Sequence, residues 1–325
     1  MAQWPTPDDR FAEAPDARLR WRPAGLRARV RSMPQNTTTR PHHPLIPNPT
    51  GPVPGVARFP RELIFTLTYL TDKAALAGLL PEGFEPADPP MVQFRYRFSD
   101  QLDWALNSSH DAVGVSVPCR ITHAGRAYEG VHWLALWEND FTAVILGREV
   151  FGVAKLGADI HHQSHTDGEH RATLSEAGRP LIELRFRTGQ QLHGTELDEL
   201  RRRGAANHVL GYKQIPNARN DGIIMAHPTI YRHTVTIDRA WDGDGEVIVH
   251  QPDPAVHVGS APLITSIRAL PLLQPLAAVL TTGSAELDMA TGRELTDHEP
   301  SDPASGSRYP AARPMSLWFP TGQSS

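Results

Sequence analysis

The sequence predicts a β-rich α+β domain whose strands curl into a barrel or cone. Three observations predict it. Alternating or β-branched segments recur through the middle of the chain. Helical patterns are few and short. Hydrophobic residues make up 40% of the 325, enough for a buried core, while no apolar run approaches the roughly 18 residues of a membrane-spanning helix.

Residues 1–55 are rich in proline and arginine and lack hydrophobic periodicity. Pro41, Pro44, Pro47, Pro49, Pro52 and Pro54 favour extended backbone, so this stretch reads as an arm. The domain proper is expected over 56–290, and 291–325, rich in Pro, Ser and Gly, reads as a tail. Glu62–Leu70 (ELIFTLTYL) is the first strand. Asp72 can cap a short helix running to Leu80. In Met91–Phe98 (MVQFRYRF) a period of two puts Val92, Phe94, Tyr96 and Phe98 on one side, with Arg95 and Arg97 opposite. Leu181–Phe186 and Ile230–Ile237 read as further strands. Thr195 can cap a helix over Glu196–Arg203 that stops at Gly204. Asp242-Gly243-Asp244-Gly245 reads as a hairpin turn between two strands. Pro262–Leu280 is expected to hold broken helical turns.

Composition excludes several functions. A net charge of -4 argues against nucleic acid as partner, and no membrane association is expected. The single cysteine, Cys119, rules out an intrachain disulfide and a cysteine zinc cage. His161, His162, His165 and His170 cluster, but on a strand and turn rather than at the i, i+4 spacing of a helical zinc site, so no metal is expected. No Gly-x-Ser-x-Gly elbow is present. No signal-peptide pattern opens the chain, and a cytoplasmic protein without a cofactor is expected.

Lysine is scarce. Of the 32 basic residues only Lys73, Lys155 and Lys213 are lysines. Lys73 follows a helix cap and reads as solvated, and Lys213 reads as structural. Lys155 sits in a long apolar stretch. A lysine stripped of water can lose its proton and attack a ketone, which arginine cannot do.

Gly147-Arg148-Glu149-Val150-Phe151-Gly152-Val153-Ala154-Lys155 resembles the signature of the acetoacetate decarboxylase superfamily. Two further blocks resemble it in the same order: Tyr69-Leu70-Thr71-Asp72 with Leu80-Pro81-Glu82-Gly83-Phe84, and Tyr212-Lys213-Gln214-Ile215-Pro216-Asn217. The resemblance spans residues 58–290. It implies a cone-like β-barrel with flanking short helices, and a Schiff-base role for Lys155. It also implies a small-molecule keto acid as partner and a homo-oligomer.

The chain departs from the family at several places. Ala154 stands where the family has proline. Leu156 replaces the second lysine, the neighbouring cation associated with lysine activation in acetoacetate decarboxylase. That leaves apolar burial as the expected cause of activation. Arg95 and Ser116 fall where the decarboxylases carry acids, and Arg61 matches an arginine near the first strand. Arg61, Arg95 and Ser116 are therefore the expected substrate-binding residues. Glu129, within an apolar strand, is the expected general acid or base beside Lys155. An arginine that grips a carboxylate favours its retention. The sequence thus leaves open decarboxylation, an aldolase-dehydratase acting on a 2-oxo acid such as pyruvate, and a ligand-binding member without chemistry.

Overall fold

A computed structural model of the chain describes residues 55–105 and 108–296. The arm up to residue 54 and the tail from residue 297 lie outside the described residues. Among the described residues twelve strands form one sheet. In chain order they are β1 (Val56–Leu70), β2 (Phe84–Pro86), β3 (Met91–Leu102), β4 (Ser108–His123), β5 (Arg126–Glu138) and β6 (Lys155–Gly157). There follow β7 (Asp159–Ser164), β8 (Glu169–Glu176), β9 (Arg179–Gln191), β10 (His208–Pro216), β11 (Ile223–Val249) and β12 (Gln274–Glu294). Thr291–Glu294, expected in the tail, thus belong to the last strand.

The sheet runs β10-β5-β4-β3-β1-β12-β11, and β10 pairs again with β11. These seven strands therefore close into a ring, which removes their free edges. The sheet continues from β11 to β9, β8 and β7. The architecture is the expected cone-like, β-rich α+β fold. Closure is uneven. β10 and β11 share nine residue pairs, whereas β10 and β5 share only Val209↔Val131, in parallel. There the His132 Nδ1–H side chain donates to the Leu210 carbonyl at 2.8 Å, bridging the seam.

The period of two sorts side chains between two cores. On β3, Val92, Phe94 and Tyr96 bury with Phe65, Leu67, Val115 and Trp137 in the larger cluster. Arg95 and Arg97 project from the opposite face, as the alternation predicts. That face is shared with the smaller cluster of Ala112, Trp133, Leu136, Phe151, Val209 and Tyr231.

The helices differ more from expectation. Asp72 caps α1 (Lys73–Ala77), accepting from the Ala75 amide at 2.7 Å. A nine-residue helix, α2 (Phe141–Glu149), was not expected. Its cap is Asp140, which accepts from the Ala143 amide at 3.0 Å. α3 (Gly194–Ala205) begins before Thr195, with no side-chain cap. Pro262–Leu280 holds one helix, α4 (Ala261–Arg268), and then the start of β12.

The expected turn at Asp242–Gly245 is absent. β11 runs straight through it, with Gly243, Asp244 and Gly245 opposite Thr188, Arg187 and Phe186. A Cβ at Gly243 would lie 2.1 Å from the Arg187 carbonyl oxygen, and one at Gly245 would lie 2.1 Å from a Leu67 methyl. The glycines serve close approach between strands rather than chain reversal.

Candidate active site

Every strand of the ring contributes to one cavity of about 740 Å³, mouth included. Its walls hold Phe59 from β1, Arg97 from β3, His110 from β4 and Glu138 from β5. Val209, His233 and Met289 come from β10, β11 and β12, and Lys155 from β6.

Local geometry places Lys155. The apolar run from Phe141 forms α2, which lies over the end of β5. A reversal at residues 150–154 then returns the chain so that Lys155 pairs with Leu136 in parallel. Gly152 makes the reversal possible. Its φ is +66°, and a Cβ there would lie 2.6 Å from the Lys213 amide nitrogen. Its carbonyl accepts from the Tyr212 amide at 2.8 Å, tying the reversal to β10. Arg148 donates to the Lys155 carbonyl at 3.0 Å. The Gly-Arg-Glu…Gly spacing thus has a mechanical purpose.

Lys155 Nζ lies 2.9 Å from both carboxylate oxygens of Glu138 and 3.1 Å from the Ala143 carbonyl. These three acceptors match the three donors of an ammonium. The pair is largely withdrawn from water, with side chains 15% and 4% exposed. The amine is therefore not enclosed by apolar groups alone, as the sequence suggested. It carries a dedicated carboxylate.

That carboxylate is not Glu129. Glu129 lies nine residues earlier on β5, about 30 Å away at roughly 3.3 Å per residue, and pairs across the sheet with Arg120. The expected general acid or base is thus too distant to act on Lys155. Two other expected residues also lie outside the cavity. Arg61 forms an ion pair with Asp100 at 3.1 Å. Ser116 is fully buried and donates to Gln93 Oε1 at 3.4 Å.

Arg95 does reach the region. It lines an adjoining cavity that shares Arg97, Trp133, Glu138 and His233 with the first. Its Nε donates to Thr66 Oγ1 at 3.2 Å, and its guanidinium lies over the Trp133 ring, 5.3 Å from the centroid. Among the described residues Arg95 makes no ion pair. Burial, aided by the charge of Arg97, pulls it down to about 10.

Sequence reasoning missed Glu138, Arg97 as a site residue, His110, Tyr231 and His233. Arg97 is held by Glu62, to which its Nε donates at 2.5 Å. Burial pushes the Glu62 carboxyl up, outweighing the lowering by Arg97. Arg97 Nη2 also lies 2.9 Å from His233 Nε2. Because arginine only donates, that nitrogen accepts, and His233 is neutral. Burial, then the charges of Arg97, Arg95 and Lys155, hold His233 well below the ordinary histidine value. Burial pulls His110 down to about 4, and pushes the Tyr231 phenol up.

The histidine cluster of the sequence lies on β7, β8 and the turn between them, with the His162 and His170 rings stacked 5.5 Å apart. Among the described residues no three His, Cys, Asp or Glu side chains converge to hold a metal. No helix of the described residues is long and apolar enough to cross a membrane.

The family model described as acetoacetate decarboxylase matches residues 42–296. The chain belongs to the acetoacetate decarboxylase family. It is 28% identical over 244 residues to an acetoacetate decarboxylase of Chromobacterium violaceum, covering 73% of this chain and 88% of that one. It is 26% identical over 267 residues to one from Burkholderia mallei, covering 82% and 97%. The fold is shared with the crystal structure of acetoacetate decarboxylase from Legionella pneumophila. The TM-score is 0.62 at 20% identity, covering 75% of this chain and 88% of that one. It is shared too with the enduracididine biosynthesis enzyme MppR complexed with pyruvate, at a TM-score of 0.58 and 17% identity, covering 77% and 93%.

Proposed function

We propose that the chain is a lyase in which Lys155 condenses with the ketone of a keto acid. The observation that carries this reading is the buried contact of Lys155 Nζ with both oxygens of Glu138. Glu138 accepts a proton from the ammonium, and the freed amine attacks the carbonyl carbon. The carbinolamine so formed loses its oxygen as water, leaving an iminium ion. That cation is an electron sink. If the substrate carries a β-carboxylate, the bond to it breaks, carbon dioxide departs and the electron pair forms an enamine. If the carboxylate is adjacent to the iminium carbon, as in pyruvate, a proton leaves the neighbouring carbon instead. The resulting enamine adds to an aldehyde, and loss of water follows.

A specific observation favours the second outcome. Arg95, without a carboxylate partner among the described residues, lies beside Arg97 in the cavity that adjoins Lys155 and shares Glu138. The Arg95 guanidinium there holds a substrate carboxylate that stays. The bound pyruvate named for MppR supports this reading by analogy, and the decarboxylase relatives support the first.

The test is borohydride trapping with acetoacetate and, separately, pyruvate, read by intact mass and peptide mapping. The expected result is one reduced adduct on Lys155. Label on Lys73 or Lys213, or none with either compound and a series of longer oxo acids, overturns the proposal. Carbon dioxide release then separates the two outcomes.

A further inference from the structure

Most polar groups in the Lys155 cavity are already engaged: Lys155 with Glu138, and Arg97 with Glu62 and His233. Two are not. Trp104 Nε1 and His110 Nδ1 are buried and have no hydrogen-bond partner among the described residues. Both side chains line this cavity. Their rings meet edge to face, with centroids 6.1 Å apart. Phe59 braces both, at 5.8 Å from Trp104 and 6.4 Å from His110.

Burying a donor without a partner is costly, and native proteins rarely do it twice at one spot. The flaw disappears if a ligand atom completes the bonds. Indole N–H only donates, so the ligand must present an acceptor there. An imidazole nitrogen donates or accepts according to tautomer, so a hydroxyl, which does both, satisfies the pair in either case. His110 is 2% exposed, and burial holds its ring neutral near pH 7. A charged group is therefore not called for at this end.

We propose that Trp104 and His110 form a second binding subsite, which takes a hydroxyl on the part of the substrate remote from its reacting ketone. The inference rests on the imine-forming reading above and deepens it: the substrate class becomes a hydroxylated oxo acid rather than a plain one. The aromatic wall of Phe59 and Trp104 packs against the carbon skeleton, and the two ring nitrogens read the oxygen. A site that hydrogen-bonds a substrate hydroxyl rejects the analogue lacking it, because its own polar groups are then left unpaired.

The experiment measures half-saturating concentrations for borohydride trapping on Lys155 with matched pairs. These are 4-hydroxy-2-oxobutanoate against 2-oxobutanoate, 5-hydroxy-2-oxopentanoate against 2-oxopentanoate, and 4-hydroxyphenylpyruvate against phenylpyruvate. At least one hydroxylated member should half-saturate at a concentration roughly tenfold lower or less. In Trp104→Phe and His110→Gln that ratio should fall toward one, a change that general loosening of the fold does not produce. The wild-type comparison stands even if neither variant folds. Adducts on Lys155 with no preference in any pair, or a preference that survives both substitutions, overturn the subsite alone. No adduct with any oxo acid removes the imine-forming reading and this inference with it.

Discussion

Gly147 and Lys155 touch across the reversal that follows α2: a Cβ at position 147 would lie 2.3 Å from Lys155 Cδ and 2.4 Å from Cε. The helix thus presents a bare backbone surface, and the lysine stem lies along it on the way to Glu138. Gly147→Ala must push that stem aside. A flexible side chain yields at small cost to stability, but a displacement near 1 Å of a reacting atom costs on the order of 100-fold in rate. The expected variant has a melting temperature within a few degrees of the parent and traps pyruvate or acetoacetate about 100-fold more slowly. Unimpaired trapping would show that the lysine stem does not need this surface.

Glu138→Gln removes the proton acceptor while keeping the shape. Imine formation at neutral pH should slow by about 100-fold or more. The pair also has a stability signature. Lys155→Met strands a buried carboxylate and should cost about 3–5 kcal/mol, whereas Lys155→Met combined with Glu138→Gln should recover much of that loss. Urea unfolding of the four proteins measures it; simple additivity would mean that the two groups do not interact.

Arg95→Met keeps the stem against Trp133 and removes the charge. If the guanidinium holds the retained carboxylate, pyruvate should half-saturate trapping at a concentration about 10- to 100-fold higher. Acetone, which has no carboxylate, should respond far less. Equal shifts for both compounds would assign Arg95 to the wall rather than to the ligand.

Acid should destabilise the fold earlier than carboxylate titration alone predicts. His110 and His132 are each held down to about 4 by burial, and His233 is also held well below its ordinary value. Between the unfolded value near 6.5 and those folded values, the unfolded chain binds more protons, so stability falls as pH falls. Each histidine contributes a slope of about 1.4 kcal/mol per pH unit in that window. Burial lowers His170 and His208 as well, and Glu62, pushed up by burial, opposes these five as a single group. Unfolding free energy should therefore drop by several kcal/mol from pH 6.5 to 5; a flat profile would contradict the buried neutral state of these rings.

Lys155 was legible because lysine is scarce here and its neighbours are apolar, and the shared strand face of Arg95 and Arg97 because strands alternate with period two. Glu138 was not. In Trp137-Glu138-Asn139-Asp140 it looks like the polar end of a strand, and its side-chain contact with Lys155, 17 residues later, depends on the parallel pairing of β5 with β6, which sets Lys155 opposite Leu136. Glu129 was misread for the same reason: position within an apolar strand says nothing about distance along it. The Asp140 cap before an apolar run carried a usable signal for α2. The run of Asp and Gly at 242–245 misled because glycine marks close contact between strands as readily as it marks a turn. Tyr231, His233 and His110 meet Lys155 only when distant strands close the ring, which no local pattern encodes.

The single residue pair between β5 and β10 gives the ring a weak course of masonry. A wall held there by one backbone rung and one imidazole loosens at that line before it loosens elsewhere. Val131 and Val209 border the adjoining cavity that holds Arg95, and Val209 also lines the Lys155 cavity. Deuterium should therefore enter the amides flanking these two valines sooner than those of the β1–β12 pair.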